Sequence, residues 1–291
     1  MLSEFLQFLF SGLTVGATYA LVALGFNLIY NASNVINFAQ GEFIMLGGML
    51  AVFFSDAGLH WSLAFALAIV IPTLVGVLIE KLMIEPVRNA DTVTLIIITL
   101  GVSLVLRGLV QIWLGKGVHS LPPFSDHAPL SILGATLVVQ SLWVFLITAL
   151  VVLLLWFFFS RTLAGKAMLA TAFNAVAAQL MGISTSRVLM ASFAMAAALG
   201  AVGGILITPI TLTTYDVGIM LGLKGFVAAV VGGLGNGLGA VLGGLLVGVL
   251  EAMGAGYISS AYKDAIPFVL ILLILFVRPQ GLLGARATDR V

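Results

Sequence analysis

Apolar runs of about twenty residues recur along the whole chain and constrain its fold more than any other feature. Val144–Phe159, for example, contains no charged side chain. A run of about 20 apolar residues spans the ~30 Å hydrocarbon core of a bilayer as a helix. Charged residues make up 8% of the chain, whereas soluble domains contain roughly 25%, so a water-soluble globule is excluded. The runs do not alternate as barrel strands do. The sequence therefore predicts an all-α, polytopic transmembrane helical bundle that forms a single domain over residues 1–291.

Eight or nine spans fit the hydropathy of the chain. Six of them are single apolar runs: Phe5–Tyr30, Phe38–Phe54, Leu63–Met83, Thr92–Leu114, Leu137–Phe159 and Val188–Ile207. The glycine-rich region Gly218–Tyr257 is long enough for two spans. Ile266–Val277 with its flanks is the last candidate.

Basic residues favour nine spans over eight. They fall into three groups: Lys81 and Arg88, then Arg161, Lys166 and Arg187, and finally Arg278, Arg286 and Arg290. Short cytoplasmic loops of membrane proteins gather Lys and Arg. Nine spans with the N-terminus outside and the C-terminus inside place all three groups in the cytoplasm, whereas eight would leave one group on the wrong side. We therefore expect a multi-pass membrane protein with the N-terminus outside and the C-terminus inside.

The stretch Arg161–Arg187 differs from the apolar runs on either side of it. It has small and polar side chains, so it is a poor candidate for another span. A glycine stop at Gly182 precedes the cap-like residues Ser184, Thr185 and Ser186. The pattern predicts a short bent helical element at one membrane face. We interpret this element as a docking site through which another protein moves the adjacent spans.

Polar residues interrupt the apolar sequence between Asn27 and Gly48. Polar groups without a partner cost several kcal/mol in lipid, so these side chains must face protein or water. One interpretation is a broken helix that lines a translocation path, and the position of Glu42 deep in an apolar run favours it. The other is an inter-helix turn in which Asn34 caps the next helix. The candidate path residues are Tyr19, Asn27, Asn37, Gln40, Glu42 and Glu251.

Three further charges lie in or beside apolar segments. Arg107 could be a path residue or half of an ion pair, but its nearness to Leu114 favours snorkelling to the interface. Glu251 fits pairing or a helix end as well as it fits a role in transport. Lys224 follows the turn-like stretch Thr211–Gly222, so we expect it at the interface.

Glycines spaced by four suggest close helix packing between Gly232 and Glu251. The residues concerned are Gly235, Gly239 and Gly243, followed by Gly244 and Gly248, and a spacing of four lets a neighbouring backbone approach one helix face. No G-K-[ST] follows these glycines, so they do not indicate a phosphate-binding loop.

Other chemistries are disfavoured by the residue inventory. The chain has no cysteine, which excludes zinc–sulfur sites. His119 and His127 lie in the proline-rich loop Gly115–Thr136, but they lack a third ligand and helical spacing, so we expect no metal there. Motifs of intramembrane enzymes are missing, and the net charge of +1 argues against nucleic acid as a partner.

Three stretches of the sequence resemble the membrane permeases of branched-chain amino acid ABC importers. They are Gly12–Gly48, which contains INFAQGEF, the glycine array Gly232–Glu251, and RPQGLLG at Arg278–Gly284. The resemblance runs essentially end to end and is closer to the shorter, LivH-type permease than to its longer partner. It implies a type II importer fold and a multi-pass protein of the bacterial inner membrane.

The resemblance also implies which residues meet the motor. In that family the loop matching Asn174–Arg187 carries a relaxed EAA motif followed by a glycine, here Ala177, Ala178 and Gly182. Val176 occupies the glutamate position, so a salt bridge to the ATPase is not expected from this residue. The residues we assign to coupling are Asn174, Ala177, Ala178, Gln179, Gly182 and Arg187.

The implied function is ATP-driven import of leucine, isoleucine and valine by alternating access. The implied partners are a second homologous permease, two cytoplasmic ATPase subunits and an external substrate-binding protein. This chain would not be an enzyme and would bind no cofactor, because ATP and Mg²⁺ would be held by the ATPase subunits. Urea, short amides or other amino acids are alternative solutes. An ion-coupled secondary transporter is a further alternative, for which Glu42 and Glu251 are the deep carboxylates.

Overall fold

The computed structural model describes residues 2–88 and 90–284 and is a bundle of helices with one short hairpin. The elements are α1 Leu2–Ser33, α2 Gln40–Asp56, α3 Trp61–Ile79, α4 Thr92–Leu114, β1 Leu130–Ile132, β2 Ala135–Leu137, α5 Val139–Arg161, α6 Leu163–Phe173, α7 Ala175–Leu180, α8 Thr185–Thr211, α9 Val217–Gly232, α10 Gly237–Tyr257 and α11 Ile266–Val277. A π-helical turn, Glu80–Ile84, and a 3-10 turn, Glu85–Val87, extend α3. Arg286 and Arg290 of the predicted basic tail lie outside the described residues.

Helix α1 lies at the centre of the bundle and packs against α8, α9 and α10. Its residues from Thr14 onward are buried on all sides as far as Ile29, apart from Val15. A helix that is apolar all round is expected to be buried, and small residues of α1 such as Ala17, Ala20 and Ala23 leave room for neighbouring backbones. The core of the protein therefore surrounds this helix.

Glycines allow close helix crossings in the bundle. At the α1–α10 crossing, a Cβ added to Gly12 would lie 2.6 Å from Val249 Cα, and one added to Gly248 would collide with the backbone of Gly16. At the α2–α8 crossing, a Cβ on Gly204 would collide with the carbonyl oxygen of Ile44. Backbones this close gain van der Waals contact along the helices, which is the main source of helix association in a bilayer.

Contacts at the helix ends define two faces of the bundle. At one end Thr136 N donates to Gln7 Oε1 at 2.7 Å, and His119 pairs with Thr213. The opposite end holds the C-terminal end of α1, the α5–α8 connection, the α9–α10 turn and the residues after α11. The described basic groups that precede or follow these elements therefore share that opposite end, which we call the basic end.

Six helices are long and apolar enough to cross a membrane within residues 2–88 and 90–284. They are Leu2–Ser33, Trp61–Val87, Thr92–Leu114, Val139–Arg161, Thr185–Thr211 and Gly237–Tyr257. The predicted pair of spans in Gly218–Tyr257 consists of α9 and α10. Helices α9 and α11 are only about 24 and 18 Å long at 1.5 Å per residue, so neither spans ~30 Å of hydrocarbon alone. The count of nine and the orientation remain predictions.

The long loop before α5 contains structure that the sequence analysis did not predict. Strands β1 and β2 form an antiparallel hairpin with Ile132 opposite Ala135. Leu133 and Gly134 at its turn have φ values of 51° and 84°, as a two-residue hairpin turn with left-handed central residues requires. The hairpin packs against the first turns of α1 through Gln7.

Candidate functional site

A buried ionic cluster joins four segments near the middle of the bundle. Lys224 Nζ of α9 donates to Glu251 Oε1 of α10 and to Asp264 Oδ1, each at 2.6 Å. Tyr19 of α1 donates its hydroxyl to Glu251 Oε2 at 2.9 Å. We call these four residues the lysine cluster. It connects α1, α9 and α10 to the segment that precedes α11.

Burial explains why these charges are paired. The side chains of Lys224 and Glu251 are 5% and 12% exposed, whereas that of Asp264 is 47% exposed. A charge removed from water needs an opposite charge and hydrogen bonds to offset the lost hydration. The hydrogen bond from Lys224 and its charge lower the pKa of Asp264. The expectation that Lys224 lies at an interface is therefore wrong, because α9 begins at Val217 and buries this side chain. For Glu251, the pairing alternative describes this structure.

A second buried pair attaches α4 to α2. Ser103 Oγ donates to Glu42 Oε1 at 2.7 Å, and Arg107 Nε lies 3.2 Å from the same oxygen. Glu42 is 1% exposed. The favoured interpretation of Arg107 as a snorkelling residue is wrong, because its guanidinium turns inward to Glu42. The ion-pair alternative is the one that the structure shows.

Asn27 and Asn31 fasten α1 to the α9–α10 turn at the basic end. Asn27 Nδ2 donates to the carbonyl oxygen of Asn236 at 2.9 Å, and Asn31 Nδ2 donates to that of Gly235 at 3.1 Å. Gly235 has a φ of 88°, a left-handed conformation typical of glycine. Its predicted place on a helix face is therefore wrong, since it belongs to the turn.

The remaining array glycines face two different neighbours. Gly239 and Gly243 of α10 approach the carbonyl oxygens of Gly232 and Ala228 in α9. Gly248 instead approaches the backbone of Gly16 in α1. The array thus lies against two helices rather than presenting one glycine face.

The interruption between α1 and α2 is held by side chains that bond to the backbone. Asn37 Oδ1 accepts from Ala39 N at 3.0 Å, and Gln40 Nε2 donates to the carbonyl oxygen of Ala196 in α8 at 2.8 Å. The interpretation of Asn34 as the cap of the next helix is wrong. Asn34 is exposed, has a φ of 56° and precedes α2 by six residues, whereas Asn37 makes the local turn.

The six path candidates do not converge on one cavity. Tyr19 and Glu251 meet in the lysine cluster, whereas Glu42 belongs to the Arg107 pair. Asn27 lines a cavity of about 370 Å³ between α1, α5 and α10. Asn37 lines a separate one of about 380 Å³ at the basic end. A shared polar lining of a path stays a prediction.

The segment 161–187 folds into two short capped helices, which we call the coupling element. Thr162 Oγ1 accepts from Gly165 N at the start of α6, and Asn174 Oδ1 accepts from Ala177 N at the start of α7, each at 3.0 Å. Helix α7 ends at Leu180, and Gly182, two residues later, has a φ of 85°. Gly182 N donates to the carbonyl oxygen of Gln179 and Ile183 N to that of Ala178, the paired bonds of a Schellman motif.

Large apolar side chains of the coupling element lie on the outer surface of the described structure. Leu163, Phe173, Val176, Leu180 and Met181 are between 68% and 86% exposed. Ala178 is buried instead, and Arg187 is exposed. Gln179 Nε2 donates to Thr185 Oγ1 at 2.7 Å, which ties the element to the first turn of α8. An exposed apolar patch of this kind is typical of a protein–protein contact.

Sequence reasoning missed the partners of several charges. No role is predicted from the sequence for Asp264, Ser103, Glu80 or Glu85. A signal was present, because Lys224 is a lone charge in an apolar helix and such a charge requires a partner. The sequence does not show which distant residue supplies it. Within the described parts of the chain, no group of three or more His, Cys, Asp or Glu side chains is placed to hold a metal ion.

Comparison with known proteins assigns the chain to a family. A family model described as the permease component of branched-chain amino acid transport systems matches residues 8–275. The high-affinity branched-chain amino acid permease LivH of Escherichia coli K12 is 34% identical over 99% of this chain and 98% of its own length. The chain belongs to the branched-chain amino acid permease family.

Other relatives agree with this assignment. The permease BraD of Pseudomonas aeruginosa is 33% identical over 99% of this chain and 98% of its own length. Among solved structures, PsaBC from Streptococcus pneumoniae, in complex with Fab, superposes with a TM-score of 0.53 over 96% of this chain and 97% of that one. At 14% identity this likeness concerns the fold alone.

Membership in this permease family establishes the class of transport protein and the membrane in which the chain lies. The chain is a branched-chain amino acid ABC permease and a multi-pass protein of the inner membrane. Its family is one of transporter subunits that lack catalytic activity themselves and work with ABC transporter partners.

Proposed function

We propose that this permease subunit imports leucine, isoleucine and valine across the inner membrane, driven by ATP that partner subunits hydrolyse. The family match and the permeases LivH and BraD support the solute class. The complete importer would contain a second homologous permease, two ATPases that hold ATP and Mg²⁺, and an external binding protein. The basic end of this bundle faces the cytoplasm, as the inward bias of Lys and Arg favours.

The exposed apolar surface of the coupling element is the observation that carries this proposal. Phe173, Leu180 and Met181 are each about four-fifths exposed at the end of the molecule that carries the described basic groups. In water such side chains cost free energy that burial against a partner recovers, at about 25 cal/mol per Å². A cytoplasmic ATPase that covers this surface would bind the permease more tightly and would be rigidly attached to the coupling element.

Alternating access would follow from movement of the coupling element together with the attached ATPase. The bond from Gln179 to Thr185 links α7 to α8, and α8 packs against α1, α2 and α3. When the ATPases close on ATP, displacement of the coupling element would tilt α8 and thereby change the packing around α1. The amino acid would then pass from the binding protein into a space between the two permeases.

Reconstitution separates this proposal from an ion-coupled transporter. Proteoliposomes containing the complete importer should take up radiolabelled leucine only with internal ATP and external binding protein. Liposomes containing this chain alone, tested with proton and sodium gradients, should show no uptake. Uptake driven by an ion gradient without ATPases would overturn the proposal, and a panel with urea and short amides would identify a different solute.

Two substitutions test the coupling surface without damaging the core. Leu180→Asp and Met181→Asp place charges on the exposed patch and should reduce ATPase binding about tenfold or more, since buried unpaired charges cost over 1.4 kcal/mol. Leu133→Asp is the matched control, because Leu133 is 73% exposed at the opposite end of the bundle. Copurification of the ATPases and leucine uptake are the measurements.

The outcome is decided by comparison with that control. If the Leu180→Asp complex assembles and transports as well as the Leu133→Asp complex, the coupling element is not the docking surface. Ala178 is unsuitable for such a test because it is buried. Gly182→Pro should abolish coupling, since proline cannot adopt the φ of 85° found there.

A further inference from the structure

A cavity of about 380 Å³ lies between the coupling element and the helices of the bundle at the basic end. Its walls come from the α1–α2 connection, the π-helical turn after α3, the start of α4, the coupling element and the start of α8. Ligand pockets commonly have volumes of about 300–1,000 Å³. A π-helical turn inside a longer helix is also a frequent mark of a functional site. The cavity is therefore large enough and suitably built to hold a small molecule.

Two buried side chains that line this cavity each have one polar atom without a partner in the described part of the chain. Glu80 is 1% exposed, and its Oε1 finds no hydrogen-bond donor within residues 2–88 and 90–284. Asn37 is also 1% exposed, and its Nδ2 finds no acceptor in the same part of the chain, although its Oδ1 accepts from Ala39 N. Buried polar groups are nearly always hydrogen-bonded. An unpaired acceptor and an unpaired donor in one cavity point to a ligand that supplies both complements.

The charges of the lining favour a ligand with a cationic group. Glu80, Glu85 and Arg88 line the cavity, giving two carboxylates and one guanidinium. Glu85 Oε1 accepts from Ser186 Oγ of α8 at 2.6 Å, so this carboxylate is partly satisfied. Glu80 Oε1 has no donor in the described part of the chain, and a buried carboxylate oxygen without a donor is costly. A ligand ammonium would supply three donors to it.

The rest of the lining provides for an anionic group and an aliphatic chain. Asn37 Nδ2 and the Arg88 guanidinium are donors to which a ligand carboxylate can bind. The apolar part of the wall is formed by Ile29, Ile84, Leu95, Leu189 and Phe193. An ammonium, a carboxylate and an apolar side chain on one small molecule describe an α-amino acid with an aliphatic side chain.

From this geometry we infer that the permease binds a free aliphatic α-amino acid in this cavity from the cytoplasmic side. The ligand identity rests on the proposed function, because the imported solute is the aliphatic amino acid that accumulates on that side. Its ammonium binds Glu80, its carboxylate binds Asn37 and Arg88, and its side chain lies against the apolar wall.

Occupancy of the cavity has a consequence for transport. Ala175 and Gln179 of the coupling element and Thr185 and Ser186 of α8 belong to the wall. A bound amino acid therefore fills the space beside the contact between the coupling element and α8, through which the ATPases would move α8. The imported amino acid holds the coupling element and α8 in one arrangement. Amino acid on the cytoplasmic side therefore lowers the rate of import.

Proteoliposomes with the complete importer and internal ATP test this inference. The initial rates of leucine uptake and of ATP hydrolysis are measured with and without internal leucine, and the inhibition constant for internal leucine is determined. Glu80→Gln removes the carboxylate and should raise that constant about ten- to a hundredfold, the range expected for a hydrogen bond to a charged group. Asp91→Asn is the matched control, because Asp91 is a fully exposed carboxylate at the start of α4 and asparagine preserves its capping role.

Ligand analogues provide a measurement that needs no variant. Internal leucinamide lacks the carboxylate and internal 4-methylpentanoate lacks the ammonium, so both should inhibit far less than leucine. Asn37→Asp keeps the oxygen that accepts from Ala39 N but replaces the unpaired donor with a second oxygen. It should weaken inhibition by leucine, which has a carboxylate, more than inhibition by leucinamide, which has none.

The outcomes separate this inference from the proposed function. If another amino acid proves to be the imported solute, the same assay is run with that solute, and Glu80-dependent inhibition by it supports the site. If leucine is imported but internal leucine does not inhibit, or inhibits wild type and Glu80→Gln equally, the inference is wrong and the proposed function stands. Equal inhibition by leucine and 4-methylpentanoate would also overturn it.

Discussion

At the scale of single residues, charge pairing rather than hydropathy decides where the polar side chains lie. Lys224 reaches two carboxylates on different segments, and Arg107 turns inward to Glu42. Each pair offsets part of the hydration that its members lose on burial. These residues connect α2 to α4 and α9 to α10, so they stabilise particular helix contacts in addition to any part in transport.

Removal of one member of the lysine cluster should destabilise the fold strongly. Lys224→Met leaves Glu251 buried without its cation, and a loss of about 3–5 kcal/mol is expected for breaking a buried pair. The double variant Lys224→Met with Glu251→Gln should recover about 1–3 kcal/mol relative to the sum of the single changes. Thermal unfolding of the purified permease in detergent is the measurement.

Lys263→Met is the control for this cycle, because Lys263 lies next to Asp264 in the sequence and is exposed. It should leave the melting temperature nearly unchanged. Additive effects of the two changes in the cycle would show that Lys224 and Glu251 do not interact in solution.

At the scale of helices, glycines determine which pairs can approach closely. Gly12 and Gly16 of α1 meet Gly244 and Gly248 of α10, and Gly47 of α2 meets Ala201 of α8. By contrast, a Cβ added to Gly101 or Gly108 of α4 would find no atom within 4 Å. Glycines in this chain therefore have two different surroundings, and the sequence alone does not distinguish them.

Substitution to alanine should separate these two kinds of glycine. Gly248→Ala forces a methyl group into the backbone of α1 and should cost about 1–3 kcal/mol as overpacking. Gly101→Ala should be neutral or stabilising by up to about 1 kcal/mol, because alanine favours helix. Thermal unfolding of both variants tests the α1–α10 crossing, and equal melting temperatures would contradict it.

At the scale of the whole molecule, the two ends of the bundle differ in structure. One end has the β1–β2 hairpin packed on the first turns of α1, and the other has the coupling element and the described members of the three basic groups. Helix α9 and the segment before α11 supply Lys224 and Asp264 to the lysine cluster.

Labelling of single cysteines tests the orientation of these ends. The chain has no native cysteine, so Leu133→Cys and Val176→Cys each give one reactive site, and both positions are largely exposed. In intact cells without the ATPase partners, a membrane-impermeant maleimide should label Leu133→Cys but reach Val176→Cys only after permeabilisation. The reverse pattern would overturn the orientation and the proposed function with it.

The sequence by itself determined the fold class, the membrane setting and the position of the coupling element. These follow from local properties: long apolar runs, basic residues beside them, and caps such as Asn174 and Gly182 that act within a few residues. The family resemblance rested on equally local motifs, and the comparisons confirm it.

Only the tertiary structure decided the partners of Lys224, Arg107 and Glu85 and the neighbours of each glycine. Tyr19 and Glu251 are 232 residues apart in sequence, and no local pattern states that they meet. Apolar helices can be arranged in many ways at similar hydrophobic cost in lipid. Steric fit between backbones and the pairing of buried charges choose among those arrangements, and both depend on contacts between distant segments.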